Sequence, residues 1–325
     1  MQLQPKVQVV NRKNWRFWLI ASVLVMLFGV NGIGLFLGNK VYKEASVLQL
    51  QLNTHSSSQL KQQLEVGKQT GQWEDVVIES RFGYSLKGTF IPNPHPTDKT
   101  LIFLHGFTDN RLAGLSYVSL YLKSGYNLLL IDSRAHGESG GASVTWGVYE
   151  KQDLDQWVDW LHQRFPSGQI GVHGISMGAA TALMHAELNE KNKRVAFYIA
   201  DSSYSDFETL LKLQLRQRLP QVEPLLLDLL MPYVNLAAYF QARFTFYQAS
   251  PLQAVRHVTT PILYLHGEAD KLIPLSMSQA LYQATPGPRQ LVTFPQMEHI
   301  QAAYQDRQQY DQVIQDFIRS LQLNN

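Results

Sequence analysis

Apolar positions along the chain follow three different patterns. The first is continuous: residues 17–37 are apolar apart from Ser22, Asn31 and three glycines. A helix with no polar face does not suit the surface of a globular core. At about 1.5 Å rise per residue, the run is long enough to cross a hydrocarbon layer of about 30 Å. The second pattern begins at residue 73, where short apolar runs alternate with segments of helical period. Residues 73–80 and 84–91 read as a strand pair at a sheet edge, closed by Pro92, Pro94 and Pro96. Further strands are expected at 101–104, 126–131, 169–173, 195–200, 262–265 and 290–294. Helical period falls between them, at 115–123, at 149–165 with Trp157, Trp160 and Leu161 on one face, from 179 onward, at 275–284 and at 310–321. Strands alternating with helices specify an α/β fold: a mostly parallel sheet with helices on both faces.

The third pattern interrupts the second. Between Ala200 and Pro261 the sequence is helix-like and rich in apolar and aromatic residues, with no clear strand. Long insertions in compact α/β domains are usually functional, so residues 204–250 are expected to form a small helical cap over the active edge of the sheet. Residues 45–71 are rich in Gln, Ser and Leu. Their spacing of Leu48, Leu50, Leu52, Leu60 and Leu64 suits a stem helix or a polar spacer. The expected organisation is a cytoplasmic segment at 1–16, a transmembrane anchor at 17–37, a stem at 38–71 and a large α/β domain at 72–325.

Charge supplies a topology. Lys6, Arg12, Lys13 and Arg16 precede the apolar run; Lys40 and Lys43 follow it, partly offset by Glu44. The larger positive count upstream predicts a cytoplasmic N-terminus and an extracellular α/β domain, with Trp15 and Trp18 at the interface. A cleaved signal peptide fits less well, because the run exceeds a typical apolar region and no A-x-A site follows. The net charge of +2 over 325 residues, with no basic stripe, speaks against nucleic acid as a partner. The absence of cysteine excludes disulfides, thiolate metal sites and a cysteine nucleophile.

The chemistry centres on Gly174-Ile175-Ser176-Met177-Gly178, which follows a short apolar run and precedes small residues of helical period. Strand, G-x-S-x-G and helix together make a nucleophile elbow, in which a strained turn presents the Ser176 hydroxyl. A serine nucleophile needs a base. Among ten histidines, His299 lies just after the last strand, where a side chain returns to the edge at which Ser176 emerges. The base needs an orienting carboxylate. Asp270, in the loop after the penultimate strand, is favoured; Glu268 and Asp201 are rivals, Asp201 the more serious. An oxyanion needs two donors, and the backbone N–H groups of Phe107 and Met177 are placed to supply them, with both side chains forming pocket wall. The loop from Asp132 to Gly141 mixes Gly, His and charge. Without a second cluster at metal-ligand spacing, it is expected to be held by a buried Asp132–Arg134 pair rather than to bind a metal.

With these motifs in place, L-H-G-F at 104–107, D-x-R-x-H-G-x-S at 132–139, G-x-S-x-G at 174–178, H-G-x-x-D at 266–270 and the late His299, the sequence resembles the α/β-hydrolase superfamily. The likeness is greatest to bacterial membrane-anchored serine hydrolases described as esterases or serine aminopeptidase-like, and it covers residues 72–322. It implies an eight-stranded sheet with a helical cap, Ser176 as nucleophile, Asp270 and His299 as partners, and the Phe107 and Met177 backbone as oxyanion hole; the sequence itself gives no sign of a metal or organic cofactor. Ala135 departs from the family, which often has Gly there. The expected function is hydrolysis of carboxylic esters with apolar acyl groups of short to medium length, through an acyl-enzyme. A peptidase or acyltransferase with the same triad, or a catalytically silent surface-binding module, are the alternatives.

Overall fold

The computed structural model describes residues 15–47 and 58–321. The predicted cytoplasmic segment up to residue 14, and Leu48, Leu50 and Leu52 of the stem, lie outside the described residues. Eight strands form one sheet: β1 (Glu74–Glu79), β2 (Ser85–Ile91), β3 (Thr100–Leu104), β4 (Asn127–Ile131), β5 (Ile170–Ile175), β6 (Val195–Asp201), β7 (Ile262–Gly267) and β8 (Arg289–Phe294). Their order is β1-β2-β4-β3-β5-β6-β7-β8. β1 pairs antiparallel with β2, and β2 with β4; the pairs from β4 through β8 are parallel. Parallel strands buried on both faces read as unbroken apolar runs. The Thr-Leu-Ile-Phe-Leu of β3 and Asn-Leu-Leu-Leu-Ile of β4 are buried throughout.

The helices are α1 (Trp15–Val47), α2 (Ser58–Gln69), α3 (Val118–Lys123), α4 (Glu150–Arg164), α5 (Met177–Asn189), α6 (Phe207–Arg218), α7 (Pro224–Ala242), α8 (Pro251–Val255), α9 (Leu275–Ala284), α10 (Ala302–Gln305) and α11 (Arg307–Ser320). Alternate residues of each strand point to opposite faces. Leu101 and Phe103 of β3 join a core with α3 and α11, whereas Ile102 and Leu104 join a second core with α4, α5 and α9. The third apolar cluster belongs to the insertion. Tyr204, Phe207 and Leu211 pack there with Met231, Val234 and Ala238 of α7 and with Tyr42 of α1.

The helix containing the predicted anchor continues past Leu37 to Val47. It is long and apolar enough to cross a membrane, and its large apolar side chains are exposed from Trp15 to Leu37. Part of the stretch read as a stem is α2, which docks on the first core through Leu60 and Leu64.

Candidate active site

β5 is central, so the turn at its carboxyl end lies in the middle of the sheet edge. Ser176 occupies that turn at φ 54°, ψ −117°, a conformation costly for a residue with a Cβ. Two glycines make the turn possible. A Cβ on Gly174 would sit 2.2 Å from the Gly178 carbonyl oxygen, and one on Gly178 would sit 2.4 Å from that of Leu104. α5 starts at the next residue, Met177, so Ser176 stands at the positive end of a thirteen-residue helix.

The loops after β7 and β8 converge on this serine. Gly267 lies so close to the second loop that a Cβ would meet the Met297 carbonyl oxygen at 2.3 Å. The Ala269 N–H donates to that same oxygen at 2.9 Å, and the Glu268 N–H to Phe294 at 3.0 Å. Left-handed backbone at Gln296 and Ile300 bends the loop around His299. His299 Nδ1 lies 2.7 Å from Asp270 Oδ2, and Nε2 lies 3.0 Å from Ser176 Oγ. Asp270 accepts only, so Nδ1 carries the proton and Nε2 is free to accept from the serine hydroxyl.

Asp270 is fixed on its other oxygen by the N–H groups of Leu272 and Ile273, at 2.9 and 2.8 Å. Burial by itself would raise its pKa. Hydrogen bonds from His266, His299 and the Ile273 N–H outweigh burial and hold the carboxyl well below its ordinary value. The rivals are engaged elsewhere. Asp201 is buried and accepts from Tyr310 Oη at 2.7 Å and from Ser202 Oγ at 2.8 Å, while Glu268 is exposed and accepts from Thr293 at 2.7 Å.

The loop after β3 borders the serine: a Cβ on Gly106 would lie 3.4 Å from Ser176 Cβ. Two histidines brace this loop. His105 Nε2 accepts from the Ser133 N–H at 3.0 Å, and its Nδ1 faces the Gly106 carbonyl at 2.6 Å. Burial lowers the His105 pKa to about 3, so it is a neutral strut. The ring of His136 bridges the carbonyls of Arg134 and Phe107, tying this loop to the one after β4.

The expected Asp132–Arg134 pair is not formed. Asp132 pairs with Arg111, whose side chain also reaches Glu138 at 3.0 Å, and it accepts from the Arg111 and Glu138 N–H groups. Gly137 leaves room for this carboxylate; a Cβ there would touch it at 2.3 Å. Arg134 points away, its guanidinium over Tyr149 at 4.9 Å and Tyr84 at 5.2 Å. The aromatic rings of Tyr84 and Tyr149 take the Arg134 side chain away from the carboxylate, and Arg111 enters from a segment with no motif. Ala135 holds φ 57°, a region glycine enters without strain.

Above Ser176 is a cavity of about 240 Å³, apolar in lining. Phe107 and Met177 form its walls as expected, together with Phe207, Leu210 and Leu211 of α6. Trp146 stacks between Phe107 and Phe207, with ring centroids at 4.3 and 4.2 Å. Sequence reasoning missed Trp146 and gave no role to His136 or His266, although both histidines stand in the quoted motifs. Only the length of the loop after β4 signalled Trp146, since long loops in compact domains tend to carry function.

Comparison with known proteins agrees with this architecture. The alpha/beta hydrolase fold family matches residues 99–227. The protein YqkD of Bacillus subtilis is 36% identical over 248 residues, which cover 75% of this chain and 79% of YqkD. The protein YfhR of Escherichia coli K12 is 28% identical over 255 residues, covering 76% and 81%. Among solved structures, the Pyrococcus furiosus esterase Pf2001 superposes with a TM-score of 0.62 at 26% identity, covering 78% of this chain and 93% of the esterase.

Proposed function

Because the chain belongs to the α/β-hydrolase superfamily, we propose that it is a serine hydrolase of carboxylic esters, tethered to the cell membrane by α1 with its catalytic domain outside. The observation that carries this reading is the unbroken line of hydrogen bonds from Asp270 through His299 to Ser176. In the reaction, Ser176 Oγ attacks the acyl carbonyl while His299 Nε2 takes its proton. Asp270 holds the proton-bearing Nδ1 edge and stabilises the imidazolium. The oxyanion forms beside the Met177 N–H at the start of α5 and the Phe107 N–H. His299 returns the proton to the leaving alcohol, and water repeats the sequence on the acyl-enzyme.

The likeness to the esterase Pf2001 favours esters, and the apolar cavity favours an uncharged acyl group. The tether rests on the exposed apolar run of α1 between residues 17 and 37 and on the excess of basic residues before it. Hydrolysis of a chromogenic ester series, acetyl through dodecanoyl, by the full-length protein and its Ser176→Ala variant tests the reading. Activity peaking at a short or medium chain, and falling by about 10⁴-fold or more in the variant, is the expected result. Activity that survives the substitution would remove Ser176 from the mechanism.

A further inference from the structure

α7 is apolar on two opposite faces. One face, with Leu227, Met231, Val234 and Ala238, is buried in the cap core. The other carries Leu225, Leu229, Leu236 and Phe240, exposed by 67, 60, 38 and 63%. Their spacing of four, seven and four residues puts them in one stripe. A soluble helix rarely presents such a stripe to water, and an extended exposed apolar patch marks a protein or membrane contact.

What covers this stripe is indicated by the neighbour of α7. Gly34 and Gly38 of α1, four apart, admit α7 so closely that a Cβ on Gly34 would lie 2.6 Å from the Tyr233 ring, and one on Gly38 2.6 Å from the Tyr233 backbone. Small residues at this spacing allow helices to approach backbone to backbone in membranes. Polar pairs flank the contact: the Tyr233 hydroxyl donates to Asn31 at 2.9 Å, and Gln241 donates to Asn39. The order of partners, Gly34 and Gly38 at Tyr233 and then Asn39 at Gln241, means that the two helices run in the same sense. The start of α7, nine residues before Tyr233, therefore lies about 13.5 Å back along α1. There it is level with the apolar run that crosses the bilayer.

The catalytic cavity extends towards the same end. Its lining runs along α6 from Phe207 to Gln214 and the exposed Arg218. Arg218 is the last residue of α6, and α7 begins at Pro224. Resting on the reading of α1 as a membrane anchor and of the chain as an esterase, we infer that the outer face of α7 lies in the lipid bilayer beside α1. The turn between α6 and α7, and with it the far end of the cavity lining, then faces the bilayer. The substrate is an amphiphilic ester resident in the bilayer, its apolar acyl group entering beneath the cap and its head near Arg218.

The chain has no cysteine, so single cysteines can carry a nitroxide label. Full-length Leu229→Cys, Ile33→Cys and Asn192→Cys proteins would be reconstituted in phosphatidylcholine–phosphatidylglycerol vesicles. Collision with oxygen, which partitions into lipid, would be compared with collision with an aqueous nickel chelate. The label at 229 is expected to be shielded from nickel like that at 33, with the label at 192 open to water. A water-exposed label at 229 with a shielded label at 33 would overturn the inference and leave the anchor intact. A water-exposed label at 33 would overturn the anchor reading, and this inference with it. In a second arm, Leu225→Asp/Leu229→Asp should lose about tenfold or more on a medium-chain diacylglycerol carried in the vesicles. On a water-soluble acetyl ester it should stay within about twofold of the parent. Unchanged activity on the vesicle substrate, or an equal loss on both substrates, would refute delivery from the bilayer.

Discussion

Replacing Asp270 by Asn tests the triad at the atom that defines it. Asp270 Oδ1 receives two backbone N–H groups, from Leu272 and Ile273, and Oδ2 faces His299 Nδ1 at 2.7 Å. An asparagine has one acceptor oxygen. The two backbone donors will claim it, leaving the amide NH₂ against His299. The imidazole then turns its unprotonated nitrogen to residue 270 and carries the proton on Nε2, where it can no longer accept from Ser176 at 3.0 Å. The side-chain volume and the loop stay the same, so the loss is one of tautomer. In serine hydrolases such a loss amounts to about 10⁴ in kcat, or about 5.5 kcal/mol of transition-state stabilisation. The assay is kcat on the best ester of the chromogenic series, with unfolding curves to show that the variant is folded. Asp201→Asn is the control: its carboxylate serves Tyr310 and Ser202, and the variant should keep kcat within about tenfold. A folded Asp270→Asn enzyme losing less than about tenfold, or a greater loss in Asp201→Asn, would refute this assignment.

Two further predictions concern stability. Burial raises the Asp153 carboxyl pKa to about 6, although Ser80 and Tyr84 each donate to it at 2.6 Å. A carboxyl with a raised folded pKa holds its proton longer in the native state, so its contribution falls as pH rises from about 4 to 6; the difference in unfolding free energy between the parent and Asp153→Asn should shift by about 3 kcal/mol across that window, in favour of the variant at higher pH. No such shift in pH-dependent denaturant unfolding would show the carboxyl to be ordinary. Ala135 sits at φ 57°, so Ala135→Gly relieves strain of about 1–2 kcal/mol against a smaller cost in unfolded-chain entropy; a net gain of about 0.5–1 kcal/mol is expected by chemical denaturation, and a loss would refute the strain argument.

The sheet was readable because the sequence carries it locally. Buried parallel strands such as Leu101–Leu104 are apolar in unbroken runs, and the helices between them repeat at helical period, so each element announces itself within a few residues. The elbow was readable for a similar reason: the close contacts of Gly174 and Gly178 demand glycine at fixed spacing around Ser176. Asp270 and His299 were legible as the polar residues that follow the last two strands. Their juxtaposition was not, since it depends on backbone bonds between two loops such as that from Ala269 to Met297.

What the sequence determined by itself was therefore the order of elements, the tight turn at Ser176 and the apolar helix ahead of the domain, all set by short-range sterics and periodicity. What the tertiary structure decided was partnership. Asp132 found Arg111 rather than Arg134, Trp146 came to lie between Phe107 and Phe207, and α7 laid Tyr233 against Gly34 and Gly38 of α1, some two hundred residues earlier. Contacts between distant segments depend on where the whole sheet carries each loop, and no local pattern encodes that direction.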